Sequence, residues 1–458
     1  MTAAKHLLQL VFVVLALAVF FADPPAGAAV NAMHVAALVI FAVGFWATGA
    51  LPEHITGLIL LLLAVLTAVA PAAVVFSGFT SATLWLVFGG LFMAEGVRAT
   101  GLGERIVRLV LERHTGSYPA ALSAVVAVAI GLAFVMPATI GRVLLLIPIL
   151  TALAARMGFE PGSRGRSGLL LAGILSTYQC GTAVLPANAP NLVLAGAAEN
   201  LYGVHFRYGD YLWVQFPVMG ILKGLTIIGM TLLLFPAAPG PGAAPAAHQP
   251  MSAQERRMAL ILAVALAFWA TDFLHGVQPG WVALAAGIFC VLPRIGVMPV
   301  AAFNDRIKYG PIFYIAAVLG MGGMMIESGL SKAIGSQLLA MIDLERGEHV
   351  RNFAIMTALS TFTGLFTTNP AQPALLAPIA GSVAEATGWP ISAVLMTLAI
   401  GFTTVILPYQ VPPVLIGLQV AGIRLDEALR MSVPLALFSL LVLVPLDYLW
   451  WRLIGYFG

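Results

Sequence analysis

Apolar residues run along this chain in long, nearly unbroken blocks, without the alternation of a half-buried strand or the narrow stripe of a surface helix. Blocks of about 17 to 25 apolar residues are long enough to cross a bilayer as helices. Eleven such spans are read, at roughly 6–21, 34–50, 55–70, 82–98, 168–200, 211–235, 258–274, 279–293, 311–328, 391–421 and 431–451. Two further stretches, 119–155 and 352–386, are too long for one span, and each carries Pro and Thr near its middle. Each is predicted to be a re-entrant hairpin, two half-helices joined at mid-depth. The expected fold class is an all-α polytopic membrane protein with about eleven transmembrane helices plus two re-entrant hairpins.

Charge tests the hairpins and orients the chain, because Lys and Arg near span ends mark the cytoplasmic side. With the N-terminus cytoplasmic, Lys5, Arg98, Arg105, Arg108, Arg113, Arg156, Arg164, Arg166, Arg256, Arg257, Arg294, Arg306, Lys308, Arg424 and Arg430 fall inside, fifteen of the 22 basic residues. Arg207, Lys332, Arg346, Arg351 and Arg452 fall outside, and Arg142 and Lys223 fall within the membrane. Treating 119–155 as a complete span would put Arg105–Arg113 and Arg156–Arg166 on opposite sides and erase the bias. The opening "KHLLQLVFVVLALAVFFADPPAGAAV" also has the order of a secretory signal. The ten apolar spans behind it favour a first membrane span. Lys223 is read as a snorkelling side chain.

The two halves of the chain echo each other. "FGGLFMAEGVRATGL" matches "LGMGGMMIESGL", "PATIGRVLLLIPI" matches "TTNPAQPALLAPI", and "FRYGDYLWVQFPV" matches "IRLDEALRMSVPL". In the last pair Arg207, Asp210 and Pro217 align with Arg424, Glu427 and Pro434 at one offset of 217. The first copy starts at an outer boundary and the second at an inner one, so the copies are inverted five-span repeats with broken helices. The division expected is 1–81 for spans one to three, 82–236 for repeat one, 237–310 for a cytoplasmic linker with spans seven and eight, and 311–458 for the core of repeat two. Inverted repeats with Pro-interrupted helices mark a secondary transporter whose site lies at the midplane. Four interruptions outline that site: the hairpin tips at Pro137–Gly141 and Thr367–Pro370, and the breaks "LPANAPN" and "LPYQVPP".

Composition narrows the function classes. The 458 residues are 60% hydrophobic and 9% charged, with a net charge of +3 and a mean hydropathy of +0.99, against about 25% charged residues in soluble domains. The lipid bilayer is therefore a partner, and the absence of a basic tail or patch excludes nucleic acid. Cys180 and Cys290 sit in apolar runs, which leaves no disulfide framework or zinc spacing. No H-E-x-x-H, G-x-S-x-G or Walker pattern occurs. His205 and Asp210 have the H-x4-D spacing of some acyltransferases, but their repeat counterpart has no histidine, so a membrane acyltransferase stands only as a rival class. A channel is the other rival. The expectation is a transporter with no catalytic residue.

At the four interruptions the chain resembles the divalent anion/sodium symporter family, part of the ion-transporter superfamily that also holds citrate-transporter-like and arsenite-pump-like permeases. The resemblance spans nearly the whole chain. Family members carry a Ser-Asn-Thr triplet at each hairpin tip, ten residues ahead of a proline, and a Gly-Thr-Pro-Pro-Asn-like break. Counting back from Pro378, the second triplet here is Thr368, Asn369 and Pro370. Counting back from Pro148, the first is Ala138, Thr139 and Ile140, without Ser or Asn. The breaks read Ala187–Asn191 and Gln410–Val414.

The resemblance implies cation-coupled, elevator-type transport of a small di- or multivalent anion such as a dicarboxylate, citrate or sulfate. It also implies a homodimer in a bacterial inner membrane. An anion efflux permease or exchanger of the arsenite or sodium-proton antiporter-like branch is the alternative. Substrate-binding candidates are Thr139, Arg142, Asn188, Thr368, Asn369 and Pro412. Ion-binding candidates are Ala138, Thr139, Asn188, Asn191, Thr367, Thr368, Asn369 and Gln410, whose amide, hydroxyl and carbonyl oxygens suit Na+. H+ is the other coupling ion considered, and no further cofactor or metal is expected. The altered first triplet places the coupling ion mainly at the second hairpin. Arg142 costs at least ~2.5 to 3.5 kcal/mol at a bilayer centre. It is read as a guanidinium fork aimed at the anion, with pairing to a buried acid as its structural alternative.

Overall fold

The computed structural model describes residues 2–24, 30–49, 51–111, 116–240 and 250–458. Arg113, the Lys5 side chain and linker residues 241–249 lie outside that description. Among the described residues the chain is helical, with no strand. Seven helices among the described residues are long and apolar enough to cross a membrane, the longest being Tyr208–Leu234 and Leu425–Leu453. Other apolar helices are shorter than the sequence suggests: Pro279–Val291 has 13 residues and Glu53–Leu66 has 14. At 1.5 Å per residue these rise only about 20 Å, so apolar length overstates some spans.

Both predicted hairpins form. The first has arms Tyr118–Val135 and Thr139–Arg156, with the turn at 136–138. Its open ends meet: Tyr118 packs edge-on against Phe159 at 5.5 Å between ring centroids. In the second, His349–Phe366 descends, and the return arm runs through 371–387 with a tight turn at Ala377–Ile379 around Pro378. There Trp389 Nε1 donates to His349 Nδ1 at 2.8 Å, and the rings stack at 3°. Each hairpin returns to the level from which it started. The arms of the first are each 18 residues long, about 27 Å, and so are fuller than half-helices.

The breaks follow proline. Arg164–Gln179 ends in two tight turns, Gly181–Ala183 and Leu185–Ala187, before Ala189–Tyr202 resumes. Ile391–Thr403 ends before the turn Pro408–Gln410, and Pro412–Ala421 resumes. Pro186, Pro190, Pro408, Pro412 and Pro413 supply no N–H to continue a helix but fit its first turn. The symmetry extends to the helix after each break, which carries a wide π-helical segment at Phe216–Leu222 in one copy and Ser439–Leu443 in the other.

Glycine sets how closely the surrounding helices approach. A Cβ on Gly89 would lie 2.1 Å from the Ala283 carbonyl oxygen, and one on Gly280 would lie 2.0 Å from that of Ala82. Helices Ala82–Thr100 and Pro279–Val291 therefore touch backbone to backbone. Gly320 approaches the Val75 carbonyl in the same way, at 2.1 Å. The Gly-rich segments matched between the repeats thus make close backbone contacts at these positions. Gly90 differs: it faces Pro137 at the first hairpin tip, where an added Cβ would lie 3.1 Å from Pro137 Cβ.

Candidate functional site

The first hairpin tip and first break interlock. Helix Thr139–Arg156 begins immediately after the extended Ala138, which places Thr139 and Arg142 in its first turn. Thr139 Oγ1 donates to the Ala187 carbonyl at 3.1 Å and also meets Asn188 Oδ1. Asn188 Nδ2 donates to the Tyr178 carbonyl at 3.0 Å. Asn191, one turn further, ties down the break itself, donating to the carbonyls of Thr182 and Val184 at 3.0 and 2.9 Å.

Arg142 is wholly buried, and its fork meets neutral oxygens. Nη1 donates to the Met136 carbonyl at 2.5 Å. Nη2 reaches Asn188 Oδ1 at 3.0 Å, the Thr177 carbonyl at 3.2 Å and Thr139 Oγ1 at 3.4 Å. Its described bonds include no carboxylate: Glu95 pairs with Arg98 and Arg306, Asp272 accepts from the Tyr208 N–H, and Glu327 is exposed. The fork is not open to an anion in this conformation, as the sequence reading had it, and it does not pair with an acid.

The second tip and second break repeat the plan with different side chains. Asn369 and Gln410 are fully buried, joined by the Asn369 N–H and the Gln410 carbonyl at 2.9 Å. Gln410 Oε1 accepts from the N–H groups of Ile406 and Leu407, each at 2.8 Å, and its Nε2 donates to the Gly364 carbonyl. Asn369 Nδ2 donates to Tyr178 Oη at 2.8 Å and the Phe402 carbonyl at 2.7 Å. Because Tyr178 belongs to the first broken helix, this amide joins the two repeats. Thr367 returns its hydroxyl to the Thr363 carbonyl at 3.0 Å. Pro412 is half-buried and opens the resumed helix.

Three oxygens at this tip have no hydrogen-bond partner although they are buried: Asn369 Oδ1, Thr368 Oγ1 and Gln372 Oε1. A Cβ added to Gly364 would lie 3.3 Å from Gln410 Nε2, 3.5 Å from Gln372 Oε1 and 3.9 Å from Asn369 Oδ1, so the absence of a side chain there leaves room beside the latter two oxygens. Unpaired buried acceptors cost about 1 to 3 kcal/mol each. A desolvated monovalent cation is what such neutral, hard oxygens fit. No cluster of His, Cys, Asp and Glu suited to a metal occurs among the described residues.

A cavity of about 940 Å³ runs to the first tip between helix Ala82–Thr100 and the hairpin's return arm. It reaches Met136, Ala138 and Gly141, and Arg98, Arg108, Arg156, Arg306 and Lys308 line it with Glu95 and Glu104. Five cations against two carboxylates leave a local excess of three positive charges. All five cations belong to the set that the charge bias assigned to the cytoplasm.

A family model for the sodium:sulfate symporter transmembrane region matches residues 3–457. The chain belongs to the sodium:sulfate symporter family. A membrane protein of Cupriavidus necator is 25% identical over 97% of this chain and 92% of its own length. An uncharacterised transporter of Haemophilus influenzae is 24% identical, covering 91% of each chain. The L-tartrate/succinate antiporter of Escherichia coli is 23% identical over 82% of this chain and 79% of its own. Among solved structures, the YdaH transporter of Alcanivorax borkumensis superposes with a TM-score of 0.55 at 15% identity, covering 83% of this chain and 87% of that one. MtrF of Neisseria gonorrhoeae gives 0.51 at 13%, covering 96% and 97%. Those two likenesses speak for the fold alone. This symporter-family chain is an integral membrane anion transporter and not an enzyme, which removes the acyltransferase rival.

Several site residues escaped the sequence reading. Gln372 stands 230 positions after Arg142, the offset that also relates Thr139 to Asn369 and Pro148 to Pro378, so the repeat register pointed to it. Tyr178 and Thr177 carried no sequence signal. Lys223 does not snorkel: it is fully buried, and Nζ donates to the Thr403 carbonyl at 3.1 Å. Asp447, from the equivalent helix of the other repeat, is fully buried, with Trp451 and the Lys223 charge among its neighbours.

Proposed function

We propose that this protein is a secondary active transporter of small di- or multivalent anions, dicarboxylates foremost, with citrate and sulfate as further candidates. One observation carries the reading: a strongly basic cavity ends at a hairpin tip where two helices restart. The N-termini of Thr139–Arg156 and Ala189–Tyr202 meet at the Thr139–Asn188 contact, and helix N-termini favour anions. The name of the Escherichia coli relative supports a C4 dicarboxylate. In this reading Thr139, Asn188, Thr368, Asn369 and Pro412 border the anion, and the free oxygens of Thr368, Asn369 and Gln372 hold the coupling ion, Na+ before H+.

The locked pairs around Gly89 and Gly320 act as a fixed frame, against which hairpins and broken helices move as an elevator in each protomer of a homodimer. The N-terminus faces the cytoplasm of a bacterial inner membrane, and the cavity is the inward-open vestibule. Exchange of one anion for another is the second reading, favoured by the first tip, where the oxygens already have a cation among them.

Counterflow in proteoliposomes tests both readings. Liposomes preloaded with succinate should concentrate labelled succinate or tartrate, and substituting choline for sodium separates symport from exchange. A flux that neither saturates nor exceeds equilibration under any ion gradient or preload would identify a channel instead.

A further inference from the structure

We propose that the Arg142 guanidinium is a tethered cation permanently filling the first repeat's ion site, so that this repeat binds no free coupling ion. The inference rests on the transport reading above and assigns Arg142 a role other than gripping the anion. Its four acceptors are Met136 O, Thr177 O, Asn188 Oδ1 and Thr139 Oγ1, all neutral oxygens of the kind that ligate an alkali cation. Two of them are helix ends: Met136 caps the C-terminus of Tyr118–Val135, and Thr177 lies in the last turn of Arg164–Gln179. Helix C-termini carry partial negative charge and stabilise a cation even where no carboxylate is present. That accounts for a buried arginine whose described bonds include no acid.

Space and symmetry agree. Gly181 borders the guanidinium so closely that a Cβ there would lie 2.9 Å from Nη2, so the break is shaped around this group. At the matching position of the second repeat stands Gln372, which is neutral, and there the oxygens of Thr368, Asn369 and Gln372 are left without hydrogen bonds. The first tip holds a covalently attached cation, whose Nε is unpaired and with Asn191 Oδ1 of the adjoining break also unpaired, whereas at the second tip three oxygens are left without partners. The charge in the first cage therefore travels with the protein in every state, and the transporter needs one fewer coupling ion than two vacant cages would take. An empty carrier still holds this positive charge, which favours return with an anion bound.

The test measures melting temperatures of purified full-length protein and of Arg142→Ala, Arg142→Gln and Arg142→Lys, in sodium chloride against choline chloride at equal ionic strength. Removing the guanidinium should open a vacancy that sodium fills. The sodium-induced rise for Arg142→Ala should exceed the wild-type rise by several degrees, millimolar guanidinium should replace sodium, and Arg142→Lys should need neither. Succinate titrations of the same proteins should show affinity lost about tenfold for Arg142→Ala in choline and restored in sodium, because the positive charge beside the anion-facing helix ends is missing until sodium replaces it. If Arg142→Ala does not fold, Arg142→Gln is read in its place. A variant whose stability responds to sodium as the wild type does, or whose anion binding no small cation restores, overturns the proposal. If the wild type binds no small anion, the transport reading fails, while the sodium-dependent melting of Arg142→Ala still decides whether the cage is a cation site.

Discussion

Gly89→Ala examines the frame against which any moving part must work. The added Cβ would stand 2.1 Å from Ala283 O, 2.2 Å from Ala283 C and 2.6 Å from Leu284 N. All three are backbone atoms, so no side chain can rotate away. Ordinary contact starts at 3.4 Å, and the two helices must part by about 1.3 Å to restore it. Gly280 and Gly287 seat the same pair, the latter with its Cβ position 2.9 Å from Gly89 Cα, so the displacement spreads along the interface. Overpacking of a dense interior costs about 1 to 3 kcal/mol, and a gap near 1 Å forfeits up to about half of the dispersion energy of each remaining contact. The upper end applies here. Alanine returns about 1 kcal/mol of helix propensity, which leaves a net loss of ~2 kcal/mol. Gly131→Ala is the control: it lies in helix Tyr118–Val135 with nothing within 4 Å of the new methyl, and should gain up to ~1 kcal/mol. Thermal unfolding of purified protein, followed by tryptophan fluorescence, should place Gly89→Ala clearly below wild type and Gly131→Ala at or above it. Equal melting of the two variants would refute the backbone-to-backbone packing.

Three further outcomes are expected. Single cysteines at Glu160 and Glu348, with Cys180 and Cys290 replaced, should label from opposite membrane faces; these positions avoid the strained positive φ of nearby Gly162 and Gly347, and labelling from one face would end the inverted-repeat reading. Arg306→Glu with Lys308→Glu should slow anion entry from the cavity side by about tenfold at low ionic strength and much less in high salt, because a screened field steers ligands weakly; a salt-independent loss would point to misfolding. Glu255 is held down to about 2 by the Arg105 guanidinium, with the Ser252 N–H adding to it. A depressed folded value stabilises above the ordinary carboxylate range near 4.3 and is lost as pH falls toward 2. Glu255→Gln should therefore melt lower than wild type at pH 7, because glutamine can hold the capping-box position but not the charge-assisted bond to Arg105, with the difference shrinking below pH 4; a constant difference would remove Glu255 from the account.

The chain's own pattern settled what physical chemistry applies locally. Apolar block length, proline placement and the side on which arginines fall are properties of adjacent residues facing one solvent, the bilayer. They were enough to place both hairpins, both breaks and the register that relates Arg142 to Gln372. Apolar length failed where a short helix such as Pro279–Val291 continues into apolar turns, and at the first hairpin, whose arms are full 18-residue helices and not half-helices, since hydropathy does not register where backbone hydrogen bonding stops. What the Arg142 fork touches was decided by tertiary structure alone. Its acceptors at 136, 139, 177 and 188 come from the hairpin turn, the return arm, the helix before the first break and the break itself, and carbonyl oxygens leave no mark on a sequence. The same holds for Tyr178, whose hydroxyl meets Asn369 across 191 positions, and for Lys223, which sequence sends to the interface and the fold turns onto the Thr403 carbonyl. A polar group in a membrane takes the nearest partner that the packing offers, and that choice exists only once the two repeats have come together.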